Sequence, residues 1–77
     1  MREQISEVQH EIWVHWMRYL FSVSKQNDDG TVTIPVDKVQ RWRRQIDTNY
    51  ADLSEREKDG DREQADKVLS CLDHGKK

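Results

Sequence analysis

The stretch that decides the fold is ISEVQHEIWVHWMRYLFSV, residues Ile5 to Val23. Its apolar residues recur in steps of three and four, the spacing of one helix face; they are Ile5, Val8, Ile12, Trp16, Tyr19, Leu20 and Val23. A second series in steps of four lies beside the first and consists of Trp13, Met17 and Phe21. This apolar surface is wider than one neighbouring helix covers, so we expect the first helix to be contacted from two sides.

A turn is predicted directly after this helix, at Asn27-Asp28-Asp29-Gly30. Asparagine and aspartate side chains bond their own backbone, and glycine can adopt positive φ. The first helix is therefore expected to span about residues 3–24. The β-branched residues that follow favour a short extended segment at 31–34, for which no partner strand is evident.

A second helix is predicted over about residues 35–47, because Pro35 fits the first turn of a helix and an apolar stripe follows it. The residues of that stripe are Val39, Trp42 and Ile46. In the irregular link that follows, Tyr50 and Leu53 are expected to be buried anchors.

A third helix is predicted over about residues 55–73. Ser54 and Glu57 have the spacing of a capping box, in which a hydroxyl and a carboxylate satisfy each other's backbone N–H groups. The expected buried face is Ala65, Val68, Leu69 and Leu72. Residues 74–77 are expected to be a disordered tail, and the fold class is all-α: one small three-helix domain spanning residues 1–77.

Composition excludes several classes of protein. The chain has 77 residues, of which 34% are hydrophobic and 36% charged, and its net charge of −2 gives no overall attraction to nucleic acid or anionic membrane. Its one cysteine, Cys71, cannot form an intramolecular disulfide, and no run approaches the roughly 20 apolar residues of a membrane span. The first residues lack the apolar stretch of a signal peptide, and the single cysteine fits a reducing compartment, so a cytoplasmic protein is expected.

Two metal sites that the sequence suggests do not satisfy the required spacing. His10 and His15 are five apart rather than four, so their imidazoles diverge by roughly 140° around a helix and cannot share a zinc ion. If Gly30 is the sixth residue of an EF-hand loop, Lys25 and Val36 occupy its first and twelfth ligand positions. We therefore expect no metal and no cofactor.

The second helix is locally basic, with four bases and no acid between Lys38 and Arg44. Lys38, Arg41 and Arg44 could contact phosphates, although the helical stripe favours Trp42 as a core residue rather than a base-stacking platform. No glycine-rich phosphate loop, serine elbow or definable carboxylate pair is present. We therefore predict that the protein is not an enzyme.

A longer run carries a family resemblance. The sequence YADLSEREKDGDREQA, residues 50–65, preceded by His10-Glu11-Ile12-Trp13, resembles the ryanodine-receptor-type repeat domain. It is most similar to the small phage and prophage proteins that share the pattern of this repeat. The resemblance covers nearly all of residues 5–72, and its most specific part is Glu57-Lys58 followed by Asp61-Arg62.

The resemblance implies an accessory role and a possible pocket. The leading expectation is a small non-catalytic binding module of phage or prophage type with a protein partner. The alternative is a receptor for a small anionic or nucleotide-like ligand, held in a pocket formed by His10, Trp13, Trp16, Trp42, Lys58 and Arg62. The same charges could instead be structural clips around a tryptophan core, and weak nucleic-acid binding by the second helix is a further alternative.

Overall fold

The computed structural model describes residues 1–75, and the side chains of residues 1–72. The described chain is mainly helical, with three α-helices and one small antiparallel sheet, so the predicted fold class is confirmed. In chain order the elements are α1 (Arg2–Val23), β1 (Lys25–Gln26), β2 (Val32–Thr33), α2 (Val36–Ile46), a 3₁₀ turn (Tyr50–Asp52) and α3 (Glu55–Gly75).

The residues divide into two units. The first unit contains Met1–His15 together with the chain from Ser54 onward, and the second contains Trp16–Leu53. The single domain predicted for residues 1–77 stays a prediction.

Side chains beyond the last turn of α1 satisfy carbonyl groups that have no partner within a helix. The Ser24 hydroxyl donates to the carbonyl of Leu20 at 2.7 Å. The Gln26 side-chain amide donates to the carbonyl of Phe21 at 3.2 Å. These bonds help to end α1 at Val23, about one residue before the predicted end.

The extended segment has a partner strand, which corrects the sequence analysis. Lys25 pairs with Thr33 and Gln26 with Val32, forming a two-stranded antiparallel hairpin. The partner was missed because a two-residue strand has no detectable alternation of apolar and polar residues. The observed strand β2 is also shorter than the predicted segment 31–34.

The hairpin loop is held by its own polar residues. The backbone N–H of Asn27 donates to the Thr31 carbonyl at 2.9 Å, and that of Gly30 donates to the Asn27 carbonyl at 3.1 Å. Asp29 Oδ1 accepts from the backbone N–H of Thr31 at 3.0 Å and from its hydroxyl at 2.6 Å. These hydrogen bonds, that of the Thr31 side chain first, lower the pKa of Asp29. A φ of 90° at Gly30 completes a three-residue loop of the kind that requires a left-handed residue.

Helix α2 begins one residue after Pro35, whose carbonyl accepts from the backbone N–H groups of Lys38 and Val39, both at 3.1 Å. Its predicted stripe is correct only in part. Val39 and Trp42 are half-buried, but Ile46 is 81% exposed. Lys38 is half-buried as well, so the covered side of α2 is displaced around the helix from the stripe that apolar periodicity predicts.

The predicted capping box at the start of α3 is confirmed. The Ser54 hydroxyl accepts from the backbone N–H of Glu57 at 3.2 Å and donates to its carboxylate at 2.8 Å. The carboxylate also accepts from the backbone N–H of Ser54 at 3.4 Å. In the preceding link Leu53 is half-buried, whereas Tyr50 is half-exposed, so its predicted role as a buried anchor is wrong.

The predicted buried face of α3 is also correct only in part. Val68 and Leu72 are half-buried, but Ala65 and Leu69 are exposed. The one buried side chain of the described residues is the polar Gln64, which is 5% exposed and whose Oε1 accepts no hydrogen bond there. The helix continues to Gly75, two residues beyond its predicted end, and positions 76–77 of the predicted tail lie outside the described residues.

We expect Gly30→Ala to destabilise the protein by roughly 1–2 kcal/mol, because any residue with a Cβ atom is strained at positive φ. No atom lies within 4 Å of the position that a Cβ would occupy, so a steric clash would not contribute. Urea unfolding measures the change. Gly30→Asn is the control and should cost less, because asparagine tolerates this conformation better. An alanine variant at least as stable as the asparagine variant would contradict the assignment.

Candidate functional site

The main candidate feature for function is the number of large apolar side chains that the chain leaves exposed. Among residues 1–72 no apolar side chain is buried. The large exposed apolar side chains are Met1, Ile5, Trp13, Phe21, Ile34, Val36, Ile46, Tyr50 and Leu69. Single exposed apolar residues are common, but exposed groups of them mark interaction surfaces.

In the first unit, an aromatic pair lies on the surface of α1. The His10 imidazole stacks on the Trp13 indole, with ring centroids 5.8 Å apart and an interplanar angle of 20°. Trp13 remains 55% exposed. In the second unit Phe21 of the same predicted series is also exposed, while Met17 is half-buried. Two of the three residues in the second apolar series of α1 are therefore available to a partner.

In the second unit, Tyr19 contacts two tryptophans. Its ring meets Trp16 and Trp42 edge-on, each with ring centroids 6.4 Å apart and with interplanar angles of 83° and 60° respectively. All three rings are half-buried. Edge-on aromatic pairs of this kind contribute roughly 0.5–1.5 kcal/mol beyond the area that they bury. Trp42 therefore packs against a neighbouring ring rather than standing free as a stacking platform.

Helix α2 carries strongly exposed apolar residues and several cations that form no ion pair within residues 1–72. Val36 is 71% exposed and Ile46 81% exposed, the highest values among the large apolar side chains of the described residues. Lys38, Arg41 and Arg43 form no ion pair within residues 1–72. The proposed phosphate contacts through Lys38, Arg41 and Arg44 stay a prediction.

The cations of the predicted pocket are paired with carboxylates of α3. Arg62 Nη1 lies 2.9 Å from Glu55 Oε2 and 2.9 Å from Asp59 Oδ1. Lys58 Nζ lies 3.7 Å from Glu55 Oε1. The hydrogen bond and charge of Arg62, followed by the charge of Lys58, lower the pKa of Glu55.

The predicted pocket residues are distributed over both units. His10, Trp13, Lys58 and Arg62 belong to the first unit, whereas Trp16 and Trp42 belong to the second. Within the first unit the His10 ring stacks on Trp13. Within the second unit Trp16 and Trp42 both contact Tyr19 edge-on.

Sequence reasoning missed a groove in the first unit. It has a volume of about 470 Å³ and is lined by Val8, Glu11, Asp66, Lys67, Ser70 and Cys71. Its Cys71 is half-buried and carries a free thiol. No spacing in the sequence indicates that these residues lie together, because those from α1 and those from α3 are 55 to 63 positions apart along the chain.

Comparison with protein-family models, curated proteins and solved structures gave no match to this chain. Within the described residues, no group of three or more histidine, cysteine, aspartate or glutamate side chains is arranged to hold a metal ion. The helices of the described chain include none that combines the length and apolar character needed to cross a membrane.

We expect Glu55→Gln to lower the melting temperature slightly at neutral pH. The folded-state pKa of Glu55 lies below its usual value of 4.5, so its carboxylate stabilises the fold above the unfolded-state pKa. This contribution is lost as pH falls through the folded-state pKa. The difference between variant and wild type should therefore vanish in acid, as thermal unfolding over a pH series can measure.

The control for this experiment is Glu63→Gln, which removes an exposed carboxylate of α3 that forms no ion pair within residues 1–72. Its melting temperature should follow the wild type at every pH. Identical pH profiles for the two variants would contradict the role given to Glu55.

Proposed function

We propose that this protein is a small non-catalytic module that acts by binding another protein. The observation that carries the proposal is the exposure of large apolar side chains on helices α1 and α2, with Trp13, Val36 and Ile46 each more than half accessible. Fully burying one Val, Ile or aromatic side chain is worth roughly 1.5–3 kcal/mol. A partner that covers such side chains within one unit gains this free energy on binding.

The chemistry of the exposed side chains in each unit favours a protein as the partner. Protein interfaces are enriched in tryptophan, phenylalanine and arginine at their centres, and Trp13, Phe21 and Arg43 are all exposed here. Phosphates would gain nothing from the exposed Val36 and Ile46 side chains. Basic residues beside apolar ones therefore support protein binding more than nucleic-acid binding.

The accessory role in a phage or prophage rests on the resemblance of residues 50–65 and the His10 to Trp13 segment to small proteins of the ryanodine-receptor-type repeat. The bacterial cytoplasm is the compartment that this origin implies. Absence of a catalytic constellation in the sequence supports a role in binding.

We expect a photoreactive amino acid placed at Trp13, Phe21 or Ile46 to form a discrete covalent adduct with one protein in the cells that produce this chain. Mass spectrometry of the adduct would identify that protein, whether a different chain or another copy. The same amino acid at the exposed Glu63 of α3 is the control. If none of the three apolar positions forms more adduct than position 63, the proposed function is wrong.

The alternative is a pocket for a small anion, but the cations predicted to line it form ion pairs with carboxylates of α3. Arg62 already pairs with the carboxylates of Glu55 and Asp59, and Lys58 pairs with that of Glu55. The chain's own carboxylates therefore partly neutralise the cations that would bind an anionic ligand. We therefore propose that these charges stabilise the first turns of α3 through ion pairs within that helix, and the predicted clips around a tryptophan core stay a prediction.

We expect Arg62→Ala to lower stability by about 1 kcal/mol or less, since its side chain is 47% exposed and exposed ion pairs contribute little. Thermal unfolding with and without millimolar nucleotides tests this point. Nucleotides should leave the melting temperature of both the wild type and the variant unchanged. A nucleotide that stabilises the wild type and leaves the variant unchanged would favour the ligand receptor.

A further inference from the structure

The hairpin loop contains one of the two Asp-Gly pairs of this chain, Asp29-Gly30, and the other is Asp59-Gly60. In such a pair the backbone nitrogen of the glycine can attack the side-chain carboxyl group of the aspartate, because glycine has no Cβ atom to hinder the approach. The attack requires the aspartate side chain to leave its hydrogen bonds and rotate toward that nitrogen. The reactivity of each pair therefore depends on what holds the carboxyl group and the following N–H group.

The Asp29 side chain lies in an exposed loop and is held by local hydrogen bonds. Its Oδ1 atom accepts from the Thr31 hydroxyl at 2.6 Å and from the Thr31 backbone N–H at 3.0 Å. The backbone N–H of Gly30, which carries the attacking nitrogen, donates to the Asn27 carbonyl at 3.1 Å. All three residues from 29 to 31 are exposed. Local hydrogen bonds, rather than packing among the described residues, therefore restrain this pair.

The Thr31 hydroxyl lies at the centre of these bonds. Its oxygen accepts from the Asn27 side-chain amide at 2.9 Å, and its proton is donated to Asp29. The same amide also donates to the Thr33 hydroxyl of strand β2 at 3.0 Å. One threonine side chain thus connects the reactive carboxyl group to the rest of the hairpin.

The bonds from Thr31 also keep the carboxyl group in its less reactive form. The carboxyl oxygen leaves as water when the nitrogen attacks, so the neutral acid reacts faster than the carboxylate. The hydrogen bonds of Thr31, that of its side chain first, lower the pKa of Asp29. They therefore reduce the fraction of neutral acid at any pH. Thr31 opposes the attack both by holding the side chain and by stabilising its charge.

The second Asp-Gly pair lies inside α3. Gly60 belongs to the interior of the helix Glu55–Gly75, where backbone N–H groups donate to carbonyls four residues earlier. Asp59 Oδ1 accepts from Arg62 Nη1 at 2.9 Å. Attack at this pair requires part of the helix to open, whereas attack in the loop requires only a few local bonds to break. Asp59-Gly60 is therefore the better protected pair and an internal reference for the first.

We propose that Asp29-Gly30 is a self-modification site, at which the Gly30 backbone nitrogen is the nucleophile and the Thr31 hydroxyl controls the rate. The nitrogen forms a bond to Asp29 Cγ, and its proton and the carboxyl oxygen leave as water, which closes a succinimide ring. Water then adds to one of the two ring carbonyls and breaks its bond to the nitrogen. Cleavage at Cγ restores aspartate, and cleavage at the backbone carbonyl gives isoaspartate. One water leaves and one is taken up, so the mass of the chain is unchanged.

Formation of isoaspartate opens the hairpin. The main chain then runs through Cβ and Cγ of residue 29, which lengthens the loop by one carbon atom. The hydrogen bond from the Asn27 backbone N–H to the Thr31 carbonyl, and the pairing of β1 with β2 beyond it, require the shorter loop. A brief opening of the loop is thereby converted into a lasting loss of the hairpin.

Isoaspartate formation in the purified full chain tests the proposal, with electron-transfer mass spectrometry of its peptides to assign the position. In the native protein at neutral pH, isoaspartate should accumulate at position 29 faster than at position 59. In urea both pairs lose their hydrogen bonds and should react at similar rates. Position 59 should gain at least about tenfold on unfolding, since an interior helical site opens rarely. Equal native rates at the two positions, or no native reaction at position 29, would overturn the site.

The variants Thr31→Ala and Thr31→Ser test the control by the hydroxyl. Native Thr31→Ala protein should form isoaspartate at position 29 about fivefold faster than the wild type, the factor that corresponds to the loss of one hydrogen bond. Thr31→Ser keeps a hydroxyl group and should react like the wild type. In urea all three proteins should react at the same rate, because the hydrogen bonds of the loop are then absent.

Two results would overturn the role of Thr31. One is a native rate at position 29 that is unchanged in Thr31→Ala. The other is a rate that rises equally at positions 29 and 59, because the substitution would then act by destabilising the whole chain rather than by releasing the Asp29 side chain.

Discussion

A shortage of burial is the constraint on which the rest of this structure depends. With 77 residues and 34% hydrophobic composition, the chain covers most of its apolar side chains only in part, and the one buried side chain of residues 1–72 is Gln64. Small domains bury a lower fraction of their surface than large ones, so the free energy available from their cores is limited. In the second unit, the half-buried aromatic cluster of Trp16, Tyr19 and Trp42 adds ring contacts that partly compensate for the limited burial.

Because burial is limited, local polar bonds define where the elements begin and end. The Ser54 and Glu57 capping box fixes the first turn of α3, and the side chains of Asn27 and Asp29 build the hairpin loop from within. Such bonds link residues that are two to four positions apart, so they form without a large core. Each contributes about 1 kcal/mol. Together they give the chain defined helices where hydrophobic packing alone would specify them weakly.

The difference between local bonds and long-range packing also explains what could be predicted from the sequence. Helix existence and type followed from apolar periodicity, and the start of α3 followed from the spacing of Ser54 and Glu57, because both signals are local. The partner strand at Lys25–Gln26 and the groove beside Cys71 depend on residues distant from one another or on strands too short for a pattern. The prediction of burial was wrong most clearly at Ile46, Tyr50 and Leu69, where an apolar residue was expected to face inward.

Those failures bear on function. Apolar periodicity identifies the side of a helix that must be removed from water, but it does not say whether the chain itself or a partner removes it. In α2 the half-buried side includes Lys38 and Arg41, whose aliphatic stems can cover apolar surface while their charges stay in water. This displaces the covered side and leaves Ile46 outward. A position where a sound local rule fails is expected at a functional surface. The exposure of Ile46 at the end of an otherwise regular stripe is therefore an observation that supports the protein partner we propose.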